Sequence, residues 1–369
     1  MGYFVGAISG TSIDGLDLAL IEVDSDSVKV KHAITVPFPP KLRSSLLDLT
    51  TSATQDIVHL GHSHADLGHF IGEQIAQFIS TLGYSKSDIV AIGSHGQTVR
   101  HVPNGSFSFS YQIGDANRIA AVTGIDTVAD FRSADIAVGG QGAPLVPIFH
   151  DRVYRSDKVD RVIANIGGIS NVTHLPSDST SVIIGFDTGP GNALLDAWTQ
   201  HHFDRNFDHD GELANSGAVV EDLLGQFLTD SWFAIEPPKS TGREYFNLSY
   251  IEQNIQFAGV NGSPIDVLTT LAELTAMSLS RAICGWCCDS GDVVVCGGGR
   301  LNKYLMSRLE YLLPDHSVLK SDALGINGDA VEAATFAYLA YLFVSREVGN
   351  IPSVTGANRG RVLGCLYPA

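Results

Sequence analysis

Basic residues are scarce. Lys and Arg number 23 against 40 Asp and Glu, a formal net charge of −17 over 369 residues. A balance that acidic excludes broad contact with nucleic acid or an anionic membrane. It leaves phosphate binding open, because backbone N–H groups and Mg²⁺ hold phosphates without a basic surface. Cysteine is also scarce and odd in number, five in all, four of them between Cys284 and Cys296. That suits a reducing compartment rather than a disulfide framework. Cys284 and Cys287 form a C-x-x-C, but late in a helical pattern and with no second ligand pair at zinc spacing, so buried free thiols are expected. No long apolar run occurs. The longest, Ala333 to Val344 with Thr335 inside it, is too short for a bilayer span. Gly2 to Gly6 reads directly as strand with no basic region before it, so no export signal and a cytoplasmic location are expected. Gly6 stands where a myristoylation signal needs Ser or Thr. No G-x-S-x-G nucleophile elbow appears.

What is present is apolar and glycine-rich. Hydrophobic residues make up 44% and charged residues 17%, enough for sizeable cores, and the length suits roughly two domains. The 38 glycines cluster at the ends of apolar runs, the punctuation of strands entering Gly loops. Tyr3 to Ile8 and Leu16 to Val23 read as a strand and its return around the turn 9–15. Residues 55–82 read as a long helix, and Ile89 to Ile92 as a short buried strand entering a loop at 93–97. Arg161 to Ile166, Val172 to Leu175, Ser181 to Phe186 and Asp292 to Cys296 read as further strands. Val267 to Cys284 reads as a helix. The segments Val5–Ser12 and Ile163–Ser170 fit one template, and Ala91–Gln97 and Val295–Arg300 another, at an offset of about 160 to 200 residues. A duplicated α/β architecture follows, each half opening with a hairpin whose tip is small and Gly-rich.

Four segments carry chemistry. Gly10-Thr11-Ser12-Ile13-Asp14-Gly15 has the G-x-x-x-x-G half of a P-loop. Leu16 and Asp17 stand where Lys and Ser or Thr belong, and a strand rather than a helix follows, so it reads as a phosphate-binding hairpin or an ordinary tight turn. Asn165-Ile166-Gly167-Gly168 is the same kind of tip in the other half. Asp187 ends a strand before small turn residues and a helix from Ala193. That is a common catalytic placement, and Asn192 lies nearer the helix start as its cap. Gly297-Gly298-Gly299 after a strand offers bare backbone to an adenosine; it is not the dinucleotide fingerprint, because residue 302 is Asn. His59, His62, Asp66 and His69 share one helix face, but Leu60, Leu67, Ile71 and Phe78 lie opposite, so that face is solvent rather than a metal stripe. Asn206 to Gly211 begins like a Ca²⁺ loop, but its twelfth position is Gly217 rather than Glu.

The ordered motifs Gly10–Gly15, Gly93–Thr98, Ala129–Arg132, Gly139–Pro147, Phe186–Asn192, Lys239–Glu244, Cys296–Gly299 and Leu363–Ala369 closely resemble those of the anhydro-N-acetylmuramic acid kinase family. These are bacterial cell-wall recycling enzymes of the actin-like, sugar-kinase and heat-shock-ATPase superfamily. The resemblance covers essentially the whole chain. Ile8 and Val331 depart from it, each standing where Met is usual. It implies an α/β, two-lobed actin-like ATPase fold, ribonuclease H-like and duplicated, with a central nucleotide cleft. The lobes are expected at 1–135 plus 350–369 and at 136–349. It implies that water opens a 1,6-anhydro sugar while O6 takes the γ-phosphoryl group of ATP, with Asp187 as base. Gly10, Thr11, Ser12, Ile13, Asp14, Gly15, Leu16 and Asp17 would hold the phosphates. Gly167 and Gly168 would oppose them, and Gly297, Gly298 and Gly299 would lie at the adenosine. Mg²⁺ is expected, with Asp14, Asp17 and Asp187 as its possible carboxylates, Asp14 and Asp17 foremost. His95, Gln97, Arg132 and Glu332 are assigned to the sugar. Arg132 suits a carboxylate, its alternative being a salt bridge to Asp130 or Asp135. The partners expected are the sugar and ATP, with no nucleic acid and no membrane, and a homodimer is implied. The competing readings are a kinase for a plain sugar hydroxyl and a non-catalytic heat-shock-type protein; the latter needs a peptide-binding domain that the sequence does not display.

Overall fold

The computed structural model describes residues 2–10, 12–24, 27–52, 54 and 56–369. Thr11 lies outside them. The chain forms two compact units, residues 1–153 with 330–369, and residues 154–329.

The first unit is built on β1 (Gly2–Ser9), β2 (Gly15–Val23), β3 (Val28–Pro37), β4 (Ile89–Val102), β5 (Phe109–Ile113), β6 (Thr127–Ala129) and β12 (Cys365–Tyr367). The order is β3-β2-β1-β4-β6-β12, with β5 paired to β4. β1, β2 and β3 are an antiparallel meander, and β4 and β6 join it in parallel. The central strands are covered on both faces. Val5, Ala7, Leu16, Leu18 and Leu20 are wholly or almost wholly buried, and such a side chain contributes roughly 1.5–3 kcal/mol.

The second unit is built on β7 (Arg161–Ile166), β8 (Ile169–Leu175), β9 (Ile184–Pro190), β10 (Gly291–Cys296) and β11 (His316–Lys320). Its order is β9-β8-β7-β10-β11. β7, β8 and β9 are antiparallel, and β10 and β11 are parallel to β7. The same meander-plus-two-parallel pattern therefore occurs twice, which is the duplicated ribonuclease H-like topology. Its second core combines Val162, Ala164, Val293 and Val295 with the helix Pro264–Trp286. That helix is the one among the described residues long and apolar enough to cross a membrane, and 83% of its apolar window is buried inside the protein. It is a core helix.

The units differ from the partition expected from the sequence. Residues 136–153 and 330–349 belong to the first unit. The helix Val331–Val344 lies directly on the first sheet: a Cβ on Gly6 would stand 1.8 Å from the Ala333 carbonyl oxygen, and one on Gly93 1.9 Å from that of Phe336. Phe149 in turn packs against Tyr338 with ring centroids 6.0 Å apart. Packing, not chain order, sets the boundary. The long helix is Ile57–Thr81, with Asp56 accepting from the Val58 amide at 3.0 Å; His62, Asp66 and His69 on it are exposed, as expected. The thiols are less buried than expected: Cys296 is buried, but Cys284 and Cys365 are exposed.

Candidate active site

In the first unit the hairpin between β1 and β2 closes with Ser9 opposite Leu16. Ile13 takes φ +53, buries its side chain and donates its amide to the Gly10 carbonyl at 3.2 Å. Arg43 fixes the tip from outside through the Ile13 carbonyl at 3.1 Å. Leu16 is fully buried, so any ligand contact from it is through its backbone. Asp14 is exposed, 4.0 Å from Arg43. Asp17 accepts from Thr35 Oγ1 at 2.6 Å.

Residues 93–97 are not a loop. They continue β4, and the Ala7/Ile8 register shift leaves His95 as an extra residue opposite β1. Gly96 makes this β-bulge workable: its φ is +72, and a Cβ there would meet the Ile113 carbonyl at 2.1 Å. Bulges re-aim side chains beside functional sites. Gln97 accepts from Ser9 Oγ at the base of the hairpin. His95 Nδ1 donates to the Gly96 carbonyl at 3.0 Å, so Nε2 is the acceptor for Arg132 Nε at 2.9 Å. Arg132 Nη1 donates to the Gly142 carbonyl at 2.7 Å. Burial, with the Arg132 charge, holds His95 well below the usual histidine range, so it is neutral. Burial also lowers Arg132 to about 10, opposed by Glu332 and Asp135, and it stays charged. Arg132 forms no ion pair with Asp130 or Asp135. Asp135 instead accepts from Gly142, Asn350 and Thr355. Glu332, in the first turn of the helix on the sheet, is raised by surrounding protein and then by Asp17, with Arg132 opposing. Its side chain still meets solvent. The four residues assigned to the sugar thus include one direct contact, His95–Arg132, with Glu332 in the same electrostatic neighbourhood.

In the second unit β7 and β8 meet at Ile166 and Ser170, leaving Gly167 and Gly168 at the tip. Their carbonyls accept the amides of Gly191, Asn192 and Ala193 at 2.8–3.0 Å. Helix Asn192–Phe203 therefore starts against the tip, its N-cap is Gly191, and Asn192 donates its side chain to the Ile166 carbonyl at 3.2 Å instead of capping. Asp187 is not a cap either. It lies on β9 opposite Asn171, beside a second bulge in which Thr188 is the extra residue before Gly189 at φ +142. Its Oδ2 accepts from the Thr241 amide at 2.9 Å, while Oδ1 has no partner among the described residues. Burial raises it from 3.8 to about 6; the Thr241 amide opposes this and the Glu244 charge adds to it.

Gly297 and Gly299 are not bare platforms. A Cβ on Gly297 (φ +74) would meet Asn165 Oδ1 at 2.4 Å, and one on Gly299 would meet Ile166 Cγ2 at 2.3 Å. Both are glycine so that the loop can pack on the end of β7. Gly298 alone is exposed. The buried Arg300 ties this loop down, bonding the Gly297 carbonyl at 3.0 Å, Asp322 at 3.0 Å and both oxygens of Asp329 at 2.7 and 2.8 Å. The sequence reading assigned no role to segment 239–244, yet it closes over the tip. The Lys239 carbonyl accepts the Asp187 amide at 3.0 Å, and Arg243 lies where a Cβ on Gly168 would be, 2.8 Å from its Nε. The only signal the sequence offered was a cation beside a glycine, Gly242-Arg243, in a polar loop.

A ribonuclease H-like unit made twice, with a small-residue hairpin in each copy and a half-buried carboxylate on the second meander, defines a member of the actin-like, sugar-kinase and heat-shock-ATPase superfamily. A family model described as anhydro-N-acetylmuramic acid kinase matches residues 2–369. Anhydro-N-acetylmuramic acid kinase of Coxiella burnetii is 45% identical over 364 residues, covering 99% of this chain and 97% of its own. That of Shewanella pealeana is 45% identical over 367 residues, covering 100% and 99%. The chain belongs to the anhydro-N-acetylmuramic acid kinase family and is a kinase, a phosphotransferase with a sugar hydroxyl as acceptor. Among solved structures, the activator of 2-hydroxyisocaproyl-CoA dehydratase from Clostridium difficile with bound ADPNP aligns at a TM-score of 0.44 and 11% identity, over 92% of this chain and 97% of its own.

Proposed function

We propose that this kinase couples two bond changes on 1,6-anhydro-N-acetylmuramic acid. Water attacks the anomeric carbon, the C1–O6 bond breaks, and O6 takes the γ-phosphoryl group of ATP. The products are N-acetylmuramate 6-phosphate and ADP, a step of cell-wall recycling. Asp187 takes the proton of the attacking water. The observation that carries this role is its carboxylate: one oxygen is held by the Thr241 amide, the other is without a partner among the described residues, and the group titrates near 6. A base poised near working pH contributes about 10²–10⁴-fold. O6 leaves toward phosphorus, so no separate general acid is needed. The remaining barrier falls to positioning and to neutralising phosphate charge.

The tip amides of 10–17 and of Gly167 and Gly168 hold the ATP phosphates, with Arg243 adding a cation. Gly298 presents backbone to the adenosine, and Gly297 and Gly299 set the shape of that loop. The exposed Asp14 and the half-buried Asp17 fit Mg²⁺, which keeps several waters and takes one or two carboxylates beside phosphate oxygens. When bound it neutralises β- and γ-phosphate charge. Arg132 pairs with the sugar's lactyl carboxylate, and His95, neutral and fixed in tautomer, keeps the guanidinium aimed. Gln97 and Glu332 bind sugar hydroxyl and amide groups. A cytoplasmic homodimer is part of this reading.

The test is isotopic. The protein, ATP and Mg²⁺ are incubated in ¹⁸O-water with either the anhydro sugar or the ring-opened sugar. Label at C1 of a 6-phosphorylated product is expected from the anhydro sugar. Phosphorylation of the ring-opened sugar alone would overturn the proposal in favour of a plain hydroxyl kinase.

A further inference from the structure

The far end of the second sheet carries side chains that phosphoryl transfer leaves unused. β7, β10 and β11 run parallel, so the Gly167 and Gly297 loops follow the C-terminal ends of β7 and β10. The N-terminal ends carry a different set. Asp160 immediately precedes β7, Cys288 lies between helix Pro264–Trp286 and β10, and His316 opens β11. His174 reaches the same end from β8, where it pairs with Val162. Ligand atoms of Asp160, His174 and Cys288 all lie within 4.8 Å of one another, and among the described residues no other group of His, Cys and carboxylate atoms is that close. His316 Nε2 is 3.9 Å from Cys288 Sγ.

Two observations point to a ligand in this cluster. His174 is 8% exposed, and its Nε2 faces Asp160 Oδ2 at 3.4 Å, a long contact that falls short of a well-formed hydrogen bond. A buried ring nitrogen with only a long, poorly aligned partner is costly, and such groups commonly mark an ion or water site. The carboxylate opposite is already oriented. Asp160 Oδ1 accepts from the Ser177 amide at 2.8 Å and its hydroxyl at 2.7 Å, which leaves Oδ2 facing the histidine. Such outer hydrogen bonds are what holds a metal ligand in place.

We infer that Asp160 Oδ2, His174 Nε2 and Cys288 Sγ bind a transition-metal dication, Zn²⁺ foremost, with His316 or a water in the fourth position. Tetrahedral bonds of about 2.0–2.3 Å place ligand atoms roughly 3.3–3.6 Å apart. The His174–Asp160 separation of 3.4 Å already has that value, and Cys288, within 4.8 Å of both, has to close by at most about 1 Å. A mixed N, S and O set suits Zn²⁺ rather than Mg²⁺ or Ca²⁺, which take oxygen. Coordination displaces the thiol proton to solvent, one per metal bound. The ion joins the root of the β7–β8 hairpin to the end of the core helix, so its role is structural and lies apart from the phosphate loops.

The test uses the full-length protein stripped with a chelator and titrated with Co²⁺. One equivalent is expected to give thiolate-to-cobalt charge-transfer absorption, which Zn²⁺ then displaces while raising Tm. Cys288→Ser abolishes the absorption, His174→Gln weakens Co²⁺ binding at least about tenfold, and Cys284→Ser and Cys287→Ser leave it unchanged. Circular dichroism checks the fold of each variant, and Cys288→Ser decides the matter if His174→Gln does not fold. No charge-transfer band in the wild type, a band that survives Cys288→Ser, or one lost on changing Cys284 or Cys287 overturns the inference.

Discussion

Asp187→Asn should remove activity and add stability, a combination that a merely structural aspartate would not produce. In the native protein the carboxyl is raised from 3.8 to about 6, burial being the main cause. A raised native pKa means the folded state binds the proton more tightly than the unfolded chain. The stability it contributes is fully present below 3.8 and is lost as pH rises through about 6. About two pKa units at 1.36 kcal/mol each place the cost of the ionised form at neutral pH on the order of 3 kcal/mol. Asparagine carries no charge and keeps an oxygen for the Thr241 amide. At pH 8 the variant should melt several degrees above the wild type, by calorimetry or circular dichroism, and the gain should shrink toward pH 4. Turnover in a coupled ADP-release assay should fall at least about a hundredfold, with ATP binding retained. Wild-type kcat/KM should rise with pH through an apparent pKa near 6 to a plateau. A variant that melts lower at pH 8, or that turns over near the wild-type rate, would refute the reasoning.

Arg132→Ala should raise the KM for the sugar far more than that for ATP in steady-state kinetics; equal effects on both would contradict a sugar-specific guanidinium. Gly6→Ala would set a methyl 1.8 Å from the Ala333 carbonyl oxygen and 2.7 Å from the Ala337 amide, both backbone atoms. Urea unfolding should show a loss of about 3 kcal/mol, the upper end of overpacking, and an unchanged midpoint would mean the helix does not sit on that strand.

β1, β2, β4 and β7 to β10 were legible because their apolar runs end in glycine or other turn residues, whereas the half-exposed β3 and β11 and the short β5, β6 and β12 carry no such run and were not read. The duplication was legible because both hairpins repeat the template Val5–Ser12. Residues 93–97 misled because two glycines and a serine look like a loop; the first glycine is there for the helix Val331–Val344, and the second for a bulge. That helix also misled the domain partition. Its apolar residues look alike whichever sheet they cover, and only the backbone contact at Gly6 and Gly93 tells them apart. Asp187 could be found as the acid between an apolar run and small turn residues, although the strand continues past it to Pro190; its amide partner Thr241, more than fifty residues later in a polar loop, could not. The Asp160–His174–Cys288 group was invisible for a related reason: one residue precedes β7, one lies on β8 and one in the turn before β10, so no spacing rule connects them.

The carbonyls of Gly167 and Gly168 are anchored to the first amides of helix Asn192–Phe203, and that helix continues directly from the strand bearing Asp187. The positive pole of the helix is thereby occupied within the protein and is not available to an anion. An anion held at this tip would have to be met by outward-facing amides and side chains. Tip and carboxylate belong to one compact unit, residues 154–329. A displacement of the Gly167–Gly168 tip would therefore carry Asp187 with it, because the tip carbonyls are bonded to the residues that directly follow the Asp187 strand.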